Sequence, residues 1–314
     1  MYEIKKFPED FIVGEMPDIK LVPQGPYLIC LLKKRNYTTL RAVEQIAASL
    51  NIPIDRIGYA GSKDKNAVAF QFISLRAVPR QRADLQNLKD ISLSFQGYSE
   101  SPLFLGSLVG NSFEIRIRKL SAKQMSDLLA KSGRVQSVPN YFGEQRFSKG
   151  NQMIGKLLVK KDFRQAAASI RKRHPEYRRE GSPVTYLQYI PKKLLSLYIH
   201  SYQSLLWNRF RKMQQSAETI PMIGFGTDEQ LLRPYESILE QEGVSPRDFI
   251  IKELPLQSAE GVMRNANAII TDLKVVKESD DIAMVTFSLG KGSYATVAIH
   301  YLLDDLEHSL KDLI

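Results

Sequence analysis

In "SFEIRIR" (112–118), Phe113, Ile115 and Ile117 alternate with Glu114, Arg116 and Arg118, the two-residue period of a half-buried strand with one charged face. Two apolar runs, "YLICLLK" (27–33) and "AVAFQFISL" (67–75), predict further strands by composition. Between them the period changes: Leu40, Val43, Ile46, Ala47 and Leu50 recur at helical spacing. Thr38 or Thr39 is placed to cap the start of that helix, and Pro53 ends the run. Ser121 with Gln124 forms a capping box for a short helix that Gly133 closes.

From about residue 151 the texture becomes helical. Asp162 with Gln165 caps a helix through "FRQAAASIRKR", and a longer helix is predicted over roughly 194–214. Residues 215–265 mix short polar and Pro/Gly-containing pieces. Strand character returns in "IAMVTFSL" (282–289) and is also predicted for "YATVAIHYL" (294–302). A mixed region, a helical middle and a return of strands point to an α/β (α+β) fold class, a discontinuous sheet domain carrying an insertion. No internal repeat or low-complexity tract is present.

Charge adds a partner class. The 314 residues carry 44 Lys and Arg against 34 Asp and Glu, a formal net charge of +10, which favours polyanionic partners. The single cysteine, Cys30, cannot form an intrachain disulfide and reads as a small buried hydrophobe, consistent with a reducing compartment. The N-terminus lacks a signal-peptide core and no apolar run is long enough to cross a bilayer, so a soluble, cytoplasmic protein with no membrane partner is expected. The four histidines are scattered, so no metal site is expected. "LGKGS" (289–293) lacks the glycine a phosphate loop needs at Val285, and "GFGTDE" (224–229) has Glu229 where a dinucleotide fingerprint ends in glycine.

Three stretches remain as candidate chemistry. In "GYAGSKDKNAVAFQ" (58–71), Asp64 stands between Lys63 and Lys65 after Gly58 and Gly61. Glycines there suit unusual backbone geometry, and the flanking lysines attract a carboxylate that acts as nucleophile or base. The same composition suits a hairpin tip, and the residues alone favour the turn. In "VPNYFGEQRFSKGN" (138–151), Tyr141 or Phe142 can stack on a base, Arg146 can pair with phosphate and Asn140 can read a base edge, or all can serve a satellite core. Tyr294 in "GSYAT" reads by itself as a strand entry.

Together, "IGYAGSKDKNAVAFQ", "NYFGEQRFS" and "GSYATV" occur in the order and rough spacing of the TruD-type tRNA pseudouridine synthases. "FPEDFIVGE" (7–15) resembles that family's N-terminal EDFxVxE block, and "LGSLVGNSFEIRIR" and "HSYQSLLWN" resemble two more, so the resemblance spans nearly the whole chain. It implies a cofactor-free isomerisation of a uridine in tRNA, with position 13 the target, on a base flipped into a pocket. The rival reading is an RNA-binding or RNA-folding module on the same scaffold without turnover.

The family's catalytic aspartate falls on Asp64, acting on the uracil ring, on the ribose anomeric carbon or by assisting elimination. Phe11, Asn140, Phe142 and Tyr294 match residues that line the uracil pocket, and Lys5 and Lys63 match lysines that contact phosphate or order Asp64. The implied architecture is a pseudouridine-synthase catalytic domain with a mixed, largely antiparallel sheet over 1–150 and 269–314. A TRUD insertion domain occupies 151–268. Three positions depart from the family pattern: Ala69 for a threonine, Ser148 for a glycine and Gly290 for a proline. The oligomeric state is left open, with the monomer favoured.

Overall fold

The computed structural model describes residues 2–84 and 88–311. The chain divides into two compact units: unit 1 is Met1–Val138 with Ile269–Ala295, and unit 2 is Pro139–Ala268 with Thr296–Ile314.

Unit 1 is built on β1 (Phe11–Pro17), β2 (Tyr27–Arg35), β3 (Ile57–Tyr59), β4 (Val68–Arg76), β5 (Ile91–Ser99) and β6 (Leu108–Ile117), with β7 (Ser137–Pro139) at its end. Unit 2 supplies a small two-stranded sheet of β8 (Thr219–Met222) and β9 (Val262–Asn265). The chain then completes the large sheet with β10 (Asn267–Lys277) and β11 (Ala283–Gly290). Among the described residues nine strands form that sheet in the order β5-β2-β4-β1-β6-β11-β10-β7, with β3 paired to β4. The β1–β4 pair is parallel and the pairs β2–β4, β2–β5, β1–β6 and β6–β11 are antiparallel, a mixed, largely antiparallel α+β architecture.

Cross-strand register decides which residues share a face. Val13 lies opposite Ala69, and Ala69 lies opposite Lys34. Val13 also lies opposite Phe113, which lies opposite Phe287. By two-residue alternation, one face therefore carries Phe11, Val13 and Glu15, then Ala69, Gln71 and Ile73, then Leu28, Cys30, Leu32 and Lys34. All of these are buried. The helix Thr39–Leu50 covers part of this face, packing Val43, Ile46 and Leu50 against Leu28, Cys30, Leu32 and Ile73. Its predicted cap is present, the Thr38 hydroxyl accepting the Arg41 N–H. Cys30 is fully buried in that core.

One element differs from expectation. Residues 294–302 form the helix Ala295–Leu302, not a strand. Thr296, Val297 and Ile299 suggest β structure by type. The buried set Ala295, Ala298, Ile299 and Leu302 is spaced i, i+3, i+4, i+7, however, and that helical period wins because it buries one stripe.

Unit 2 is organised around the helix Lys192–Met213, which buries Tyr198, Tyr202, Trp207 and Phe210. The helices Asn151–Val159 and Phe163–Arg173 precede it, the second capped by Asp162 as predicted. Trp207 donates to the Ile220 carbonyl at 3.1 Å. Gly155 meets this helix where a Cβ would collide with the Tyr198 carbonyl, so only glycine permits the two backbones to approach this closely. Among the described residues no helix is long and apolar enough to cross a membrane. Gly155→Ala is expected to destabilise unit 2 by about 2 kcal/mol through overpacking, measured by denaturant unfolding with Trp207 fluorescence as reporter.

Candidate active site

The segment from Ala60 to Ala67 joins β3 to β4 without pairing in the sheet over residues 61–64. Side chains rising from the buried face hold its backbone instead. Gln71 on β4 donates to the Gly61 carbonyl at 3.2 Å and accepts the Thr39 hydroxyl at 2.7 Å. Thr39 in turn accepts the Lys63 N–H at 2.8 Å. Lys34 on β2 donates to the Asp64 carbonyl at 2.7 Å and to the Tyr37 carbonyl at 2.5 Å, with the Lys63 carbonyl more distant at 3.5 Å. Of the two glycines, Gly58 is needed because a Cβ there would strike the Leu103 carbonyl. Gly61 has no such neighbour and no left-handed φ.

The Asp64 carboxylate leaves this loop with its side chain 32% exposed. Lys5 forms an ion pair with it at 2.7 Å, whereas the flanking Lys63 turns to Glu15. Lys5 adopts a left-handed backbone (φ 59°), and its ammonium rests 4.1 Å from the centroid of the Phe11 ring. Phe11 is thus a buried floor under Lys5, with an edge-on contact to Phe113. Just before Phe11, Asp10 accepts the Phe7 N–H and a two-pronged contact from Arg118 at 2.7 and 2.9 Å, fixing the entry to β1. Burial opposes ionisation of Asp10, but Arg118, the Phe7 N–H and Arg116 outweigh it and hold the carboxyl below the usual range.

Lys63 is committed elsewhere. Its ammonium forms a buried ion pair with Glu15 at 2.7 Å, and Glu15 also accepts the Phe72 N–H. Lys34 is fully buried as well, and burial pulls its ammonium down to about 8, with the charge of Asp64 opposing the drop. The sequence reading missed Lys34, Glu15, Thr39 and Gln71. A signal for two of them exists: Glu15 is in phase with Phe11 and Val13, and Lys34 with Leu28, Cys30 and Leu32. Each is an ionisable side chain at a core-facing position of its strand.

Asn140 and Phe142 belong to unit 2, where both are buried. The Asn140 amide donates to the Asn265 carbonyl and accepts from Arg264 at 2.8 Å. The Arg264 guanidinium lies 4.1 Å from the Phe142 ring centroid and 5.2 Å from that of Trp207. Asn208 receives the Phe142 N–H and donates to its carbonyl, as a neighbouring strand would. Arg146 donates to Ser204. In the basic run 171–179, Arg171 stacks on Tyr186, Arg173 donates to Asn151 and His174 bonds Tyr198, while Lys172, Arg178 and Arg179 are exposed. The structure therefore groups Lys5, Phe11, Lys63 and Asp64 around one loop of unit 1, and Asn140 with Phe142 in unit 2. Tyr294, in unit 1, sits half-buried in the turn before Ala295–Leu302.

The departures have plain positions. Ala69 is buried between Val13 and Lys34 in register. Ser148 has φ −35°, outside the left-handed region, and its hydroxyl bonds the Gln145 carbonyl, so glycine is not required. Gly290 ends β11 with open space where a side chain would go.

Known proteins share this arrangement of sequence and fold. The profile of the family described as tRNA pseudouridine synthase D (TruD) matches residues 2–182 and 211–301. The probable tRNA pseudouridine synthase D of Thermococcus sibiricus is 28% identical over 407 aligned residues, spanning 96% of this chain and 95% of the relative. The tRNA pseudouridine synthase D of Aquifex aeolicus is 26% identical over 378, spanning 95% and 97%. The crystal structure of the putative tRNA pseudouridine synthase D from Methanosarcina mazei has the same fold, with a TM-score of 0.67 over 96% of this chain and 93% of that one at 22% identity. Matched by the family profile over residues 2–182 and 211–301, well over half of its length, this chain belongs to the TruD family of tRNA pseudouridine synthases.

Proposed function

We propose that this protein isomerises uridine to pseudouridine at position 13 of tRNA, in the cytoplasm, with Asp64 as the reacting carboxylate and no cofactor. Family membership supports the reaction class. The observation that carries the residue assignment is Asp64 itself: a partly exposed carboxylate on a loop whose backbone is anchored from below and whose side chain is held by Lys5. Catalysis of this kind needs a reacting group placed before substrate arrives, which such anchoring supplies.

The isomerisation detaches uracil from ribose, turns it and rejoins it through carbon 5, which then loses its proton. Asp64 serves as nucleophile to the flipped nucleotide. Lys5 orients the carboxylate and, with Phe11 beneath it, closes one side of the base site. Phe142, Asn140 and Tyr294 are assigned to the uracil pocket, Phe142 held in place by Arg264 and Asn208. Lys63 anchors the loop through Glu15. The catalytic domain is assigned to 1–150 and 269–314 and the TRUD insertion to 151–268, residues 139–150 packing with the helical unit.

The test is release of tritium from uracil carbon 5 of an unmodified tRNA transcript. Wild type releases label, a transcript with cytidine at position 13 prevents release from that site, and Asp64→Ala falls to background while still binding tRNA. Release by Asp64→Ala sinks the assignment, and tight binding without release by wild type identifies an RNA-binding module. Lys5→Met is expected to slow single-turnover release about 100-fold with a much smaller loss of tRNA affinity, since it removes the ion pair that orients the carboxylate while a side chain of similar length still covers Phe11. Glu15→Gln leaves the Lys63 ammonium buried without its counter-charge. A loss of roughly 3 kcal/mol in unfolding free energy is expected by denaturant titration.

A further inference from the structure

Lys34 places a full charge on the apolar face of the sheet, and among the described residues no carboxylate pairs with it there. Its ammonium is compensated by carbonyls: Tyr37 at 2.5 Å just beyond its own strand, and Asp64 at 2.7 Å on the loop. Such a charge costs folding free energy that a methionine of similar length would not. Besides holding the Tyr37 carbonyl, the charge fixes the peptide orientation at Asp64 on the loop, whose carbonyl is drawn inward while its carboxylate stays partly exposed toward Lys5.

We propose that Lys34 is a positioning residue for the reaction: by holding the Asp64 carbonyl, its ammonium sets the direction in which the Asp64 carboxylate is presented. The proposal rests on Asp64 being the reacting group. Lys34 does not touch the substrate; it acts through the peptide it grips. The charged groups around it are Asp64 and Lys63 of the loop, bonded in turn to Lys5 and Glu15. Its cross-strand neighbours, Ala69 and Ile91, are apolar.

Burial brings the ammonium to about 8, so its charge fades in a range open to assay. Loss of that proton weakens the grip on the Asp64 carbonyl, and turnover falls as pH rises through about 8. Stability moves the other way. The folded-state value lies below the ordinary lysine value, so between the two the unfolded chain binds more protons, and stability rises with pH across that window.

The experiment measures single-turnover tritium release from tRNA by wild type, Lys34→Met and Lys34→Gln across pH values that bracket 8, with thermal unfolding in parallel. Lys34→Met is expected to be slowed about 100-fold with little change in tRNA affinity. The ratio of wild-type to variant rate should be constant on the acid side and fall through about 8, because ionisation of the substrate is common to both enzymes and cancels. Over the same window the stability of wild type relative to Lys34→Met should rise. A flat rate ratio beside the rising stability, or an unchanged rate in Lys34→Met, overturns the proposal and leaves Lys34 as scaffold. Should the methionine variant not fold, Lys34→Gln, a neutral donor, supplies the same ratio. Absence of release by wild type overturns the isomerase reading itself, a distinct result.

Discussion

A chain segment that crosses the buried face of a sheet without joining it must find partners for its peptide groups among side chains. Residues 61–64 are in that position, and Gln71, Thr39 and Lys34 provide the partners. A buried peptide group left alone costs about 1–3 kcal/mol, more than the few tenths that turn propensity contributes, so these three side chains decide the loop's shape. They also explain why an otherwise apolar sheet face tolerates Gln71 and Lys34 in its middle strands.

The two ion pairs at this loop do different work. Lys63–Glu15 is buried on both sides, so separating it strands a charge in a low dielectric. Lys5–Asp64 is partly exposed, with side chains 18% and 32% accessible, and a pair of that kind is worth about 1 kcal/mol or less. The first therefore holds the loop. The second can open and re-form as a nucleotide enters, at small cost and without disturbing the backbone beneath it.

Much of the architecture is legible because single elements state their own period. Strand 108–117, the helix after Thr38 and the caps at Ser121 and Asp162 follow from local pattern. Residues 295–302 look like a strand by residue type, while the spacing of their buried positions is helical. The site was harder to see. The partner of Asp64 comes from fifty-nine positions upstream, and no local rule selects Lys5 over its immediate neighbours Lys63 and Lys65. Lys34 was hidden inside "LLKKR", where two adjacent lysines look like a solvated strand end although only Lys33 faces outward. Asn140 and Phe142 stand out by motif, yet the residues that lock them lie far off in sequence: Asn208 ends the separate block "HSYQSLLWN", and Arg264 lies in none of the quoted blocks.

The sheet order has a bearing on how the chain is made. β6 pairs along one edge with β1, early in the sequence, and along the other with β11, which begins only at Ala283. During synthesis that second edge of β6 has no strand to receive until all of 139–268 has left the ribosome. Exposed strand edges invite pairing with other chains. The alternation of Glu114 and Arg116 along β6 places charges on the outward face of this waiting strand, and Arg116 later meets Glu278, which arrives with the closing hairpin. The edge of β6 that waits longest for its partner thus belongs to a strand with charges along one face, a composition that disfavours pairing with other chains.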